Sequence, residues 1–195
     1  MIYQFVVQGG PWMIPILLVS VVGLTFIMER TWFWLGLWVR RDDRLRRRLL
    51  RGEGVDPATQ RTRDPRAEVL LELARHPQDE ELALERARML VRDSRANLKT
   101  ISISAALGSA LGLFGTVVGM SQSFGAVSLS DPAGIVGGLK TALNTTVLGL
   151  IVYLAGYTAH AWLAQQSSNL SQDLEEDLNE VRRALKRSAA RGAGA

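Results

Sequence analysis

Two apolar stretches of this chain, residues 100–127 and 134–163, carry polar side chains at a spacing of seven residues. The first series is Ser102, Ser109, Thr116 and Ser123, and the second is Thr146, Tyr153 and His160. Because seven residues are close to two turns of an α-helix, each series lies along one side of its helix. A helix that only anchors a protein in lipid gains nothing from aligned polar groups. The pattern therefore predicts helices that pack on each other or face a polar path.

Thr116 and Thr146 lie at similar depths if the two stretches form neighbouring antiparallel helices. Thr116 is eleven residues from position 127, and Thr146 is twelve residues from position 134. These separations correspond to about 16 Å and about 18 Å of helix rise. Each hydroxyl could instead bond back to a carbonyl one turn earlier in its own helix, as a lone membrane threonine commonly does. The matched depth and the flanking glycines favour a shared polar lining near the midplane.

Small residues recur inside the same stretches. Gly108 and Gly112, then Gly115 and Gly119, form small-xxx-small pairs, which let neighbouring membrane helices approach closely. No strand precedes these glycines and no Lys-Ser or Lys-Thr pair follows them, so they do not read as a phosphate-binding loop. We expect all four, together with Gly149 of the second stretch, to be helix-packing positions.

The inventory of reactive side chains argues against an enzyme. The chain has no cysteine, and its histidines, His76 and His160, have no metal-ligand spacing. The serines of the apolar stretches have no partnered base. Asp and Glu are absent from residues 100–130 and 134–163, so a proton relay built from this chain alone would lack a carboxylate at mid-depth. We therefore predict no catalytic residue, no metal site and no cofactor.

A further apolar stretch near the N-terminus brings the number of candidate transmembrane helices to three, each of about 20 residues or more. The sequence predicts an all-α membrane protein whose three transmembrane helices extend into a cytoplasmic helical bundle. The expected segments are an N-terminal periplasmic segment (1–10), the first transmembrane helix (11–39), a cytoplasmic helical segment (40–98), the second transmembrane helix (99–127), a periplasmic loop (128–133), the third transmembrane helix (134–164) and a cytoplasmic C-terminal helix and tail (165–195).

The distribution of charge sets the expected orientation. Fifteen arginines lie between positions 40 and 95, whereas the residues before Glu29 carry no charge and the loop after the second helix carries only Asp131. The positive-inside rule then places the N-terminus outside and the arginine-rich segment and the C-terminus inside. Nucleic-acid binding is the rival interpretation of the arginines at 40–51. We disfavour it, because topology and anionic membrane lipids account for a juxtamembrane cluster.

The cytoplasmic segments read as helices. We expect residues 40–50 to continue the first helix, and two further helices over 66–75 and 79–97. Leu82, Leu90 and Val91 would form the apolar face of the second of these helices. The tail has its own apolar face at helical spacing, which we expect to pack against the other cytoplasmic helices. That face consists of Leu170, Leu174, Leu178, Val181 and Leu185.

Four more polar residues lie in or beside the apolar stretches. Glu29 and Arg30 interrupt the N-terminal apolar stretch near its inner end, beside several tryptophans. We weigh interfacial anchoring equally with a subunit contact for these two residues. Lys140 is only about 9 Å inside the outer end by the helix rise, so its ammonium can extend outward to water. Asn144 lies one turn deeper and could bond across helices.

The residues resemble the TolQ/ExbB/MotA proton-channel family, in particular its three-helix TolQ/ExbB branch with ExbB-like members. Residues 112–120, GLFGTVVGM, are similar to the family's GLLGTVxGM core. Residues 142–150, ALNTTVLGL, are similar to its ALxTTxxGL segment, and residues 27–30, IMER, to the IER signature that ends its first helix. The resemblance covers nearly the whole chain, and the two glycine-threonine motifs are its specific part.

This resemblance implies a homopentamer in the bacterial inner membrane, with a central pore lined by the second and third helices. Thr116, Thr145 and Thr146 occupy the family's pore-threonine positions. A single-span partner of the ExbD/TolR type would place its helix in the pore and supply the aspartate that carries the proton. Proton flow would then drive a motor that acts on envelope transport or integrity through a TonB- or TolA-like protein.

Two departures from the family pattern concern the pore. The glutamate usual five residues before the position of Thr146 is replaced by Thr141, which Lys140 precedes. The proline usual just before the glycine-threonine core corresponds to Ser109. The alternative from another functional class is a non-conducting oligomeric scaffold that recruits cytoplasmic partners through residues 66–97.

Overall fold

The structure of the chain, a computed structural model, describes residues 10–51, 60–126 and 132–192. The regular elements in these ranges are six α-helices, and the predicted all-α membrane fold is confirmed. They are α1 (Met13–Val39), α2 (Asp43–Arg51), α3 (Pro65–Arg75), α4 (Glu80–Arg95), α5 (Leu98–Ala126) and α6 (Pro132–Gly192). Residues 1–9, 52–59, 127–131 and 193–195 lie outside the described residues, and they include most of the predicted periplasmic segments 1–10 and 128–133.

Three of the helices have the length and composition of membrane-spanning segments. Along α1, side chains such as Leu18, Val21 and Leu24 are exposed, and Leu113 of α5 and Leu154 of α6 are exposed in the same way. Exposed apolar side chains in such numbers suit a helix whose surroundings are lipid or neighbouring membrane helices.

The chain divides into two compact units. Unit 1 consists of Met1–Glu29 and Asn97–Trp162, and unit 2 consists of Arg30–Ala96 and Leu163–Ala195.

Unit 1 holds α5, the first part of α1 and the first part of α6. Met13 and Ile16 of α1 are fully buried. Farther along α1, Gly23 faces Ser104 of α5, where an added Cβ would lie 3.3 Å from the Ser104 Cβ. Trp12 also meets Phe114 edge to face, with their ring centroids 4.9 Å apart. Small and aromatic side chains therefore hold α1 against α5.

Unit 2 is built around α3, which is buried on most of its surface. Leu70, Leu71 and Leu73 are almost inaccessible. The helix begins where Asp64 accepts a hydrogen bond from Arg66 N at 2.9 Å, with Pro65 at the first helical position. A helix that is buried on most of its surface is typical of the centre of a bundle.

The expected continuation of α1 over residues 40–50 is wrong. The chain leaves the helix after Val39, and α2 begins at Asp43. The Asp42 side chain accepts from Leu45 N at 3.1 Å, and Asp42 N donates to Asp64 Oδ2 at 2.8 Å. The side-chain cap and the contact with Asp64 together stabilise the break.

The apolar face expected on α4 is also wrong in detail. Leu82, Leu90 and Val91 are only partly buried, whereas the inaccessible positions are Ala83, Ala87 and Ser94. Their small side chains allow a close approach, as the hydrogen bond from Ser167 Oγ of α6 to Ser94 O at 3.1 Å shows.

The predicted apolar face of the tail is confirmed. Leu170, Leu174, Leu178 and Val181 of α6 are buried in unit 2, and Leu185 is partly buried.

A charged pair accompanies this apolar face. Arg46 of α2 donates to both carboxylate oxygens of Asp177 at 2.6 and 2.7 Å, and the Asp177 side chain is 6% exposed. Hydrogen bonding to Asp177 raises the pKa of Arg46 above its ordinary value. Since a raised arginine pKa adds stability at every pH below that ordinary value, the pair is insensitive to pH near neutrality.

Candidate functional site

The threonines of α5 and α6 meet around the carbonyl of Gly112. Thr146 Oγ1 lies 3.2 Å from Gly112 O and 3.5 Å from Thr116 Oγ1. Thr145 Oγ1 lies 3.3 Å from the same carbonyl. The structure therefore brings together all three residues that the resemblance assigns to the pore, and it adds a backbone acceptor that the sequence interpretation did not include.

The three hydroxyls are not equivalent. Thr116 donates to Leu113 O at 2.5 Å and Thr145 donates to Ala142 O at 2.7 Å, so both bond back to a carbonyl of their own helix. Thr145 is 1% exposed, which makes it a packing residue as much as a polar one. Thr146 is the hydroxyl whose acceptors, Gly112 O and Thr116 Oγ1, both lie on the other helix. Thr116 and Thr145 thus make the local bond that is common for a membrane threonine, and the bonds of Thr146 run to α5. A shared polar lining of all three stays a prediction.

Glycines make the close approach of α5 and α6 possible. A Cβ on Gly149 would lie 2.6 Å from Gly108 O and 2.8 Å from Gly112 Cα, which are backbone atoms. A Cβ on Gly115 would lie 2.7 Å from Thr145 Oγ1, and one on Gly119 would lie 3.1 Å from Ala142 Cβ. All five glycines singled out in the sequence lie in this contact.

The contact extends beyond those five glycines. A Cβ on Gly156 would lie 2.7 Å from Ala105 Cβ, and one on Gly138 would overlap Ser123 Oγ. The signal for Gly156 was present in the sequence, because Ala142, Gly149 and Gly156 recur every seven residues. Small residues at that spacing form a continuous stripe along one side of a helix.

The rest of the two polar series does not join the threonine cluster as a single stripe. Ser102 is exposed, and Ser109 is partly buried. Ser123 donates to Gly119 O at 2.8 Å within its own helix. Tyr153 stacks on Tyr157, with their ring centroids 5.7 Å apart.

The positions that depart from the family pattern differ in exposure. Lys140 is exposed, Asn144 is partly buried, and Thr141 donates to Gly137 O at 3.1 Å in its own helix. Because the Lys140 side chain is exposed and flexible, its ammonium group can extend toward water.

The hydroxyl cluster can orient a proton or a water molecule but cannot ionise. A hydroxyl both donates and accepts, so Thr146 can donate either to Gly112 O or to Thr116 Oγ1, and Thr116 can accept from Thr146 while it donates to Leu113 O. Neither carbonyl titrates, and α5 and α6 carry no Asp or Glu in residues 100–126 and 134–163. A carboxylate at the depth of the cluster would therefore have to come from outside residues 100–126 and 134–163. Among the described residues, no cluster of three or more His, Asp or Glu could hold a metal ion.

Glu29 and Arg30 take part in separate contacts around the junction of α4 and α5. In unit 1, the Glu29 carboxylate accepts from Asn97 Nδ2 at 3.0 and 3.3 Å. In unit 2, the Arg30 guanidinium donates to Asp93 O at 2.6 Å and lies 5.1 Å from the centre of the Phe33 ring. Arg30 is buried among these contacts, and the choice between interfacial anchoring and a subunit contact stays a prediction.

Asn97 provides a test of backbone strain at this junction, because its backbone is left-handed, with φ of 60°. Asn97→Ala should lower the free energy of unfolding more than Asn97→Gly does, by about 1 kcal/mol, since glycine tolerates this φ and alanine does not. Both variants lose the amide bond to Glu29. The comparison is made from denaturant or thermal unfolding of the full chain in detergent. Equal destabilisation by the two substitutions would mean that backbone strain is not the reason for asparagine here.

Comparisons with known proteins show the family of the chain. The sequence profile of the MotA/TolQ/ExbB proton channel family matches residues 59–176. Two curated relatives from Synechocystis sp. are named for biopolymer transport. ExbB-like 3 is 30% identical over 75% of this chain and 77% of the relative. ExbB-like 1 is 32% identical over 74% of this chain and 63% of the relative, so the chain spans less than two thirds of the second protein. The chain is a member of the MotA/TolQ/ExbB proton channel family.

Proposed function

We propose that the chain is the channel-forming subunit of an inner-membrane motor that uses the proton motive force. The observation that carries the proposal is the threonine cluster, in which Thr146 of α6 has its acceptors, Gly112 O and Thr116 Oγ1, on α5. Polar groups placed across two tightly packed membrane helices are expensive to keep and are typical of ion pathways. Thr116 and Thr146 line the pathway in this proposal, and Thr145 supports it from the packed side.

The channel needs a partner, because the second and third helices carry no carboxylate at mid-depth. We propose a single-span protein of the ExbD/TolR type, whose membrane aspartate takes up and releases the proton beside the threonines. Each proton that crosses 100 mV supplies about 2.3 kcal/mol. This energy would reach envelope transport or integrity through a TonB- or TolA-like protein.

The arrangement in the membrane follows from the charges. The arginine-rich segment 40–98 and the tail from residue 165 lie in the cytoplasm in this proposal, and the N-terminus and residues 128–133 face the periplasm. Several copies, five by family resemblance, surround one pore. Lys140 and Thr141 lie at the outer mouth, where the positive charge of Lys140 disfavours entering protons, so the entry route differs from that of members with a glutamate at this position.

The proposal is tested by reconstituting the full chain in liposomes with and without a single-span protein of the ExbD/TolR type from the same organism. An interior pH dye reports proton entry driven by a potassium diffusion potential. We expect proton entry only when both proteins are present, and its loss when the partner's membrane aspartate is changed to asparagine. Proton entry with this chain alone would contradict the need for a partner. No proton entry from an intact complex would favour the non-conducting scaffold.

A further inference from the structure

Unit 2 contains a polar cavity at the carboxyl end of α1. Its volume is about 360 Å³, and it lies among residues of α1, α3 and α6 together with Arg41, which follows α1. Trp34 and Trp38 of α1 line it on one side. Because α1 has the composition of a membrane-spanning helix, its tryptophan-rich end lies where such helices meet the lipid headgroups. The cavity therefore opens at the level of a membrane surface.

The lining of the cavity carries more positive than negative charge. Arg41 and Arg66 contribute guanidinium groups, and Asp173 contributes a carboxylate. Arg66 is 3.7 Å from Asp173, and its side chain is only 19% exposed. Arg41 donates to Asp43 at 2.6 Å on the outer side. Burial, and then the charge of Arg41, lower the pKa of Arg66, so an anion placed between the two arginines would relieve their repulsion.

Neutral hydrogen-bond donors complete the lining. Gln166, Asn169 and Gln172 of α6 face the cavity. The Asn169 side-chain oxygen accepts from Gln165 at 2.9 Å, so the group that Asn169 can offer to a ligand is its NH₂. Trp34 is 9% exposed, and its indole nitrogen has no acceptor within the described residues. That nitrogen is itself inaccessible, so the neutral donors that a ligand in the cavity can reach are the amide groups of α6.

We propose that this cavity binds the phosphate-bearing headgroup of an anionic phospholipid. Two guanidinium groups match the oxygens of a phosphodiester, and the amides of α6 suit the hydroxyls of a glycerol headgroup. The exposed indole of Trp38 at the cavity edge favours a lipid over a free anion, because a free phosphate has no acyl part for it to cover. Lipid binding at this cavity does not require ion conduction, so the test of this proposal is independent of the test of the proposed channel.

The test measures which lipids the protein retains. The full chain is purified from membranes, exchanged into nanodiscs of phosphatidylcholine with a minor fraction of phosphatidylglycerol, and re-extracted in detergent. Mass spectrometry then gives the phosphatidylglycerol retained for each chain. We expect the wild type to enrich phosphatidylglycerol over phosphatidylcholine. Arg66→Gln should lower that enrichment about tenfold, which is the affinity carried by one charge-assisted hydrogen bond.

Two further variants make the result decisive. Arg41→Gln changes an exposed side chain of the cavity, so it should reduce the enrichment without risk to folding. Arg44→Gln removes the same charge from an exposed position of α2 outside the cavity and should retain the wild-type enrichment. Equal retention by the wild type and both cavity variants would overturn the proposal. Displacement of the lipid by glycerol phosphate at matched concentration would overturn it as well, because the site would then be one for free phosphate.

Discussion

Replacing Gly149 with alanine should lower the free energy of unfolding by about 3 kcal/mol, the upper end of the usual cost of overpacking. The added methyl group would lie 2.6 Å from Gly108 O and 2.8 Å from Gly112 Cα. These are backbone atoms of a helix, so no rotamer change can relieve the overlap, and α5 and α6 must separate. The separation would also draw Thr146 away from Gly112 O. The loss is measured from unfolding of the full chain in mixed detergent micelles, followed by circular dichroism.

Gly137→Ala provides the matched control for this prediction. Gly137 lies in the same helix, and nothing is within 4 Å of the Cβ that alanine would add. Since alanine is a better helix former than glycine, this variant should be neutral or more stable by up to about 1 kcal/mol. The two substitutions make the same chemical change, but only Gly149→Ala should lower the free energy of unfolding. If Gly149→Ala is as well tolerated as Gly137→Ala, the close contact of α5 and α6 does not hold in solution.

Thr146→Val should reduce proton entry about tenfold or more in liposomes that contain the chain and its single-span partner, and it should leave assembly intact. Valine has nearly the volume of threonine, and the hydroxyl is the only polar group lost. The Thr145 hydroxyl remains 3.3 Å from the Gly112 carbonyl in this variant, so the packing of α5 on α6 is expected to be unchanged. The expected factor corresponds to about 1.4 kcal/mol, within the range for the loss of one hydrogen bond.

The pairing of the two threonines is tested by a double-mutant cycle. Thr116→Val should impair proton entry as Thr146→Val does, and the double variant should be little worse than either alone, because both remove the same hydrogen-bonded link. Thr158→Val is the control, since Thr158 is exposed and donates only within its own helix, to Leu154 O at 2.7 Å. Wild-type proton entry in both single variants would remove the pore-lining role, and independent effects in the double variant would remove the pairing.

Much of the candidate site could be predicted from the sequence because helix geometry is regular. The rise per residue was enough to place Thr116 opposite Thr146, and the small-residue spacing was enough to indicate where the helices touch. The acceptor role of Gly112 O was missed, because every residue has a carbonyl and only the packed geometry shows which one is reached. In the same way, the sequence marked Thr145 and Thr146 as a pair but could not distinguish the packed hydroxyl from the bridging one.

The parts of the fold that were predicted wrongly depend on contacts between residues far apart in the chain. The end of α1 is stabilised in part by the contact between Asp42 and Asp64, which are 22 positions apart. The buried face of α4 is set by a close approach to α6, where Ser167 meets Ser94. A prediction from local periodicity gives most weight to the largest apolar residues. It therefore placed Leu82 and Leu90 on the buried face of α4, where the close approach to α6 requires the smaller alanines.

The glycine contact of α5 and α6 differs in its thermodynamics from the leucine-rich interior of unit 2. Burying leucines removes apolar surface from water, which carries a large heat-capacity change and weakens on cooling. The glycine contact exchanges lipid for helix backbone and removes little apolar surface from water. Because glycine and alanine also have no side-chain rotamers to immobilise, this contact carries little heat-capacity change and little ordering entropy. Below the temperature of maximum stability, cooling should therefore weaken the interior of unit 2 more than the glycine contact.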